Sequence, residues 1–211
     1  LAIGTHTLKV QATDTSTPGN INFVTVTVRV DPVELRKQAL QFLTTYNTFG
    51  YFSGVRRWAS FPITIEVSNE IVQDGHLAFY QEAANFWTKY TGITFSVIPS
   101  VESSVDPMTG KYGVVFFEYG TPFPASNIAS TWTNVDSNFA HIASIVTITN
   151  GYGDNKTLIA HEIGHSLGIW AEVNDGTITD HYATWRMNSV TAEAMRILYF
   201  ELSPGAPIPG S

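Results

Sequence analysis

His161, Glu162 and His165 stand in the run HEIGHSLG at positions 161–168, and their spacing is that of two metal ligands and a base. On a helix, residues four apart share one face, so the imidazoles of His161 and His165 can converge on a single ion while Leu158, Ile159, Ile163 and Leu167 turn toward a core. Glu162 then lies beside that ion without having to bind it. A zinc ion with an open coordination position lowers the pKa of a bound water toward ~7. A neighbouring carboxylate can take the proton as the water attacks a peptide carbonyl, and can return it to the leaving amine. HExxH specifies only three of its five positions and recurs in unrelated helices, so its weight comes from context. Here the segment is helical by pattern and follows an apolar strand, and two histidines on such an apolar stretch need a reason.

The elements that must position these residues can be read from periodicity. The chain of 211 residues has 44% hydrophobic and 14% charged residues, with 13 Phe, 9 Tyr and 5 Trp, enough to bury a sizeable core. Residues 1–30 hold two alternating stretches, HTLKVQAT and NFVTVTVRV, around the turn-rich STPGN, and predict a β-hairpin. An isolated hairpin is marginal in water, so these strands are expected to finish an immunoglobulin-like or cadherin-like module that begins upstream, or to pack on the main domain. Asp31 before Pro32 is a helix start, and Leu35, Ala39, Phe42, Leu43 and Tyr46 at helical spacing predict a linker helix within residues 31–50.

Residues 51–203 alternate strand and helix signals, with strands expected at 62–67, 93–98, 113–118 and 142–149 and a short one around 131–133. A helix with a wide apolar face stops at Gly92, a second spans about 155–167, and a third runs from 191 to 202 with Thr191 as its cap. The order β-α-β-β-β-α-α predicts an α+β domain around one mixed twisted sheet, and residues 204–211 read as a flexible tail.

The chain contains no cysteine, which excludes disulfides, thiolate metal sites and a cysteine nucleophile, so any metal must rest on histidines and carboxylates. The formal charge of −7 and the lack of a basic stripe exclude nucleic acid as an expected partner. No apolar run approaches the roughly 18 residues needed to span a bilayer. A Thr/Ser/Asn-rich, Lys-poor composition fits an exported, extracellular protein. The sequence opens at Leu1 without a start Met, so an export signal or propeptide is expected upstream.

Beyond its core motif the chain resembles the metzincin clan of zinc metallopeptidases, and most closely its matrixin-like bacterial members. HEIGHSLGI at 161–169 carries the resemblance, with Gly168 where the clan's glycine breaks the helix and turns toward a third ligand, and Met187 in TWRMNS where the clan has a methionine turn beneath the metal. The FPITIEV strand, the FWTKYTGITF junction, the IASIVTIT strand and the TAEAMRILY helix extend the likeness over about 150 residues. The resemblance implies a zinc endopeptidase fold, one catalytic zinc on His161 and His165, Glu162 as general base and acid, a polypeptide substrate laid along an edge strand, and a cleft between residues 120–138 and the HExxH helix.

The clan's third histidine falls on Ala171 here. Four replacements are open. His181 is the first choice, because it is the only histidine between the motif and Met187 and a longer connection occurs in leishmanolysin-like members. Glu172 fits an alternative register, and a carboxylate is a valid zinc ligand. Asp180 ends GTITD, which echoes the aspzincins, and Glu193 could act from the last helix as in gluzincins. His76 and His141 read as structural histidines and His6 as a surface one. The acidic, glycine-containing loop at 174–180 makes a calcium site conceivable without matching an EF-hand. Ala171 and the Ig-like fragment also leave room for a different class of function, a binding or structural module that keeps the peptidase fold without turnover. Glu162 speaks against it, since a structural zinc would not require that carboxylate.

Overall fold

The computed structural model describes residues 4–13, 21–47 and 54–209. Strands β1 (Gly4–Thr13) and β2 (Ile21–Val30) pair antiparallel, from Gly4 opposite Val30 to Thr13 opposite Ile21. This is the hairpin expected around STPGN, whose turn lies outside the described residues. Helix α1 (Pro32–Tyr46) follows directly. Its start is built as the sequence suggests, with the Asp31 carboxylate accepting from Val33 N–H at 2.9 Å and Pro32 in the first turn, where its missing N–H costs nothing. Ala39, Phe42 and Leu43 form its buried face.

The rest of the chain is a mixed α/β unit. Its strands are β3 (Arg57–Trp58), β4 (Ile63–Val67), β5 (Phe95–Pro99), β6 (Val114–Tyr119), β7 (Ala129–Val135) and β8 (Ala140–Ile148). They form one sheet in the order β3-β8-β6-β4-β5, with β7 also paired to β8. Every pairing is parallel except that of β7 with β8, which is antiparallel. Parallel neighbours need long crossovers, and two helices supply the one between β4 and β5, while two more follow β8. These are α2 (Asn69–Gln73), α3 (Leu77–Thr91), α4 (Lys156–Ser166) and α5 (Ser189–Phe200).

Alternation along the strands sorts the two faces of the sheet. Ile63, Ile65 and Val67 of β4, Val115 and Phe117 of β6, and Val146 and Ile148 of β8 join the main core with Tyr80 and Trp87 of α3, Ile159 and Ile163 of α4 and Leu198 of α5. The other face carries the buried carboxylates Glu66 and Glu118. Residues 100–112 satisfy both: Lys111 Nζ reaches Glu66 at 2.6 Å, and Val105 N–H donates to Glu118 at 3.0 Å.

Trp87 fixes α3 against α4. Its indole N–H donates to Ala160 O at 2.7 Å, and a Cβ placed on Gly164 would come within 2.9 Å of its ring. The two helices can approach this closely because Gly164 has no side chain, and removing a buried aromatic of this kind costs about 3–5 kcal/mol. The HExxH helix is therefore rigidly seated.

Three features differ from the sequence reading. The cap of α5 is Asn188, whose side-chain oxygen accepts from Thr191 N–H at 2.6 Å, so Thr191 lies inside the first turn. The strand glimpsed at 131–133 is a full edge strand of seven residues. The tail expected after Leu202 is packed over its described part: Val55 and residues 205–206 exchange backbone hydrogen bonds of 3.0 and 2.8 Å, and Ile208 is buried in the core.

Candidate metal centre

Helix α4 begins at Asn155, whose side chain accepts from Leu158 N–H, and ends at Leu167. Its termination shapes the site. Gly168 has φ +105°, a conformation that L side chains rarely adopt, and Ile169 N–H closes back on Gly164 O at 3.1 Å. A Cβ at position 168 would also lie 2.6 Å from the Asn47 amide and 2.7 Å from Arg56 O. Glycine is thus needed twice, for its backbone angle and for the close approach. The chain turns there and brings Glu172 back over the helix.

His161 and His165 sit one turn apart on α4, with Nε2 atoms 3.0 Å apart. Each ring is oriented through its other nitrogen. His161 Nδ1 meets Ile178 O at 2.8 Å, and His165 Nδ1 meets Ile169 O at 2.6 Å. A carbonyl can only accept, so both Nδ1 atoms carry hydrogen and both Nε2 lone pairs point at a common position. Two such nitrogens at that separation require either a shared proton or a metal ion between them.

Glu172 completes the group, with one oxygen 3.4 Å from His161 Nε2 and the other 3.7 Å from His165 Nε2. Tetrahedral zinc with bonds of about 2.0–2.2 Å separates its ligand atoms by roughly 3.3–3.6 Å, so the three residues fit the ion with only small adjustments. They are also the one group of three or more His, Asp or Glu side chains, among the described residues, whose ligand atoms converge in this way.

The electrostatics match. Burial alone would lower the affinity of His165 for a proton, but the carboxylates of Glu172 and Glu162 and the Ile169 carbonyl outweigh it and raise its pKa. Burial alone would raise Glu172, and the two imidazoles reverse this and hold its carboxyl well below the usual carboxylate range. The pocket favours positive charge at its centre.

Glu162 is almost fully buried and lies outside the converging group. Its Oε2 accepts a 2.5 Å hydrogen bond from Thr131 Oγ1 on the edge strand β7. Two hollows flank the site. One of about 740 Å³ is lined by Ile128, Leu158, His161, Glu162 and Tyr182, and one of about 430 Å³ by Phe123, Thr131, His165 and Trp170.

The remaining candidates are placed elsewhere. His181, the first choice for third ligand, borders the larger hollow with an exposed ring against Tyr182 and is not part of the converging group. Asp180 accepts from Gly176 and Tyr182 N–H groups, and Glu193 pairs with Arg196 at 2.6 Å. Asp175 accepts from Thr177 and Asn188, so the carboxylates of the 174–180 loop brace the loop itself. Met187 is half-buried against the core. Its neighbour Arg186 accepts from Ile178 N–H at 2.8 Å, and Ile178 in turn orients His161. His141 is buried beneath the glycine turn, bonded to Ser166 O at 3.1 Å and edge-on to Trp58 and Trp170. His76 bonds the Tyr119 hydroxyl at 3.1 Å.

Two contributors were missed from sequence. Thr131 gives no signal beyond strand alternation. Asn47, whose amide bonds Gly168 O, reads only as an ordinary helix end. Scanned against known protein families the chain matches none, and it matches no curated protein.

Proposed function

We propose that this chain is a zinc-dependent endopeptidase domain of metzincin type, in which His161, His165 and Glu172 hold the ion and Glu162 is general base and acid. The single observation that carries this reading is the convergence of two Nε2 lone pairs and one carboxylate, with a second carboxylate buried beside them and kept free of the group. A closed structural site would have no use for Glu162.

Zinc at this position would act as a Lewis acid toward a water and a peptide carbonyl. The protein's own groups do the rest. Glu162 accepts the proton of the attacking water and later delivers it to the amine that leaves. Thr131 restrains the Glu162 carboxylate through its Oε2, leaving the other oxygen for the proton. Ile178 O and Ile169 O keep the histidines in the tautomer that presents Nε2.

Strand β7 offers its outer edge beside the site, where an extended chain can add as a further strand through main-chain hydrogen bonds. The two hollows would receive side chains on either side of the bond to be cut. The β1–β2 hairpin is read as the end of an Ig-like module of an exported protein.

Metal analysis together with hydrolysis of a denatured protein tests the proposal. The wild-type chain should carry about one zinc and cleave. Glu162→Gln should keep the zinc and lose at least about 10²-fold in rate, as expected for loss of a general base. Failure to take up zinc, or a Glu162→Gln variant that still cleaves normally, would sink it.

A further inference from the structure

Helix α1 reads as a spacer between the hairpin and the sheet, yet its C-terminus grips the turn that delivers Glu172. Asn47 is 1% exposed, and both the nitrogen and the oxygen of its amide are hydrogen-bonded. Its Nδ2 donates to Gly168 O and to Arg56 O, both at 2.9 Å, and its Oδ1 accepts from Arg56 N–H at 3.1 Å. One residue earlier, Tyr46 O accepts from Trp170 N–H at 2.8 Å. The end of α1 therefore holds the glycine turn on both sides of Ile169.

The middle of that turn needs no such help, because Ile169 O is already bonded to His165 on α4. What α1 adds is the exit, from Trp170 to Glu172. Beyond Trp170, whose ring also meets Arg56 and His141, the chain is next tied where Val173 N–H donates to Thr179 O. A buried amide with all partners satisfied is costly to displace, since each unpaired group then bears its full desolvation penalty.

Resting on the metal assignment above, we propose that Asn47 is a positioning residue for the metal centre, and that it acts by anchoring the Gly168 turn to the end of α1, where the Tyr46 carbonyl holds Trp170, so that the Glu172 carboxylate meets His161 and His165. Helix α1 is then a functional part of the site, although it contributes no ligand.

Zinc affinity measured by competition with a chelator of known affinity, combined with hydrogen exchange on the metal-free protein, tests this. Asn47→Ala should weaken zinc binding about 10- to 100-fold, the range typical for loss of a group that orients a ligand. The same substitution in a Glu172→Ala background should change affinity by less than about 3-fold, because the group through which Asn47 acts is gone. A purely structural role would give the same loss in both backgrounds. Asn47→Asp keeps the acceptor for Arg56 N–H and loses both donors, so it should behave as Asn47→Ala. Arg36→Ala, at the far end of α1, should leave affinity unchanged. In the metal-free protein the Trp170 amide should exchange faster in Asn47→Ala than in wild type.

If Asn47→Ala does not fold, Asn47→Ser is measured in its place. Unchanged affinity in a folded variant, an equal loss in the Glu172→Ala background, or unchanged Trp170 exchange would each overturn the proposal. A wild-type chain that binds no zinc would instead overturn the metal assignment on which it rests, a result that the affinity of the wild-type chain alone reveals.

Discussion

The candidate metal centre is assembled from two stretches of chain that are held in opposite ways. Residues 156–166 form a regular helix, and the relation of His161 to His165 follows from helical geometry alone. Residues 168–188 contain no helix or strand, and beside local bonds such as Ile178 to Arg186 they are tied to other elements, Gly168 to Asn47, Trp170 to Tyr46 and Ile178 to His161. Local geometry places two of the proposed ligands, and tertiary contacts place the third. A damaged helix should therefore abolish the site, whereas a damaged connection should degrade it by steps.

The largest effect is expected at the helix. His161→Ala removes a directly bonded ligand and should lower zinc affinity by more than the roughly 100-fold upper range seen when only an orienting partner is lost. Metal content after dialysis would show it, and a variant that retains its zinc would break the comparison.

On the irregular side, Glu172→Ala should cost about 10- to 100-fold in the chelator competition, with His181→Ala close to wild type. The reverse pattern would return the third position to His181. Thr131→Val is expected to be milder. It deletes the hydroxyl that bonds the Glu162 carboxylate and, more weakly, its carbonyl, while keeping the shape of the side chain, so hydrolysis should fall by about 10-fold with zinc content unchanged. An unchanged rate would show that Glu162 needs no restraint from the edge strand.

The smallest effect at neutral pH concerns His141. Burial, helped by Arg56 and Arg57 and opposed by the Ser166 carbonyl, pushes its pKa down to about 3 from an ordinary value of 6.5. The folded state then binds fewer protons than the unfolded state between these values, so this group leaves stability unaffected above pH 6.5 and erodes it as pH falls from 6.5 toward 3. Urea midpoints across that window should drop less steeply for His141→Phe than for wild type. Equal slopes would mean that the ring is not buried as a neutral group.

This division also explains what could be read in advance. The helix carrying HEIGH, the Asp31-Pro32 helix start, the Gly92 stop and four of the strands all rest on short-range patterns, and they appear within a few residues of their expected bounds. Glu172 was visible only as one of several candidates, because nothing local separates it from His181. The choice depends on where the chain goes after Gly168, which is set by contacts such as that between Asn47 and Gly168, 121 positions apart. Thr131 was hidden for the same reason: a threonine in an alternating strand is ordinary until the strand lies beside a particular glutamate. Ile208 shows that the composition of SPGAPIPGS, rich in turn-forming residues, does not prevent one apolar side chain from being buried.

Strand β7 has a consequence for the protein in concentrated solution. Among the described residues its only strand partner is β8, so a row of main-chain donors and acceptors stays available along its outer side. Such a row does not distinguish an extended peptide from the same strand of a second molecule, and edges of this kind invite self-association. The ladder with β8 shifts register between Asn134 and Val135, and irregularities of this sort bend a strand and interrupt pairing. Only the stretch from Ala129 to Asn134 is then straight enough to template a neighbour, which limits both the length of chain that can be recognised and the growth of fibrous aggregates from this edge.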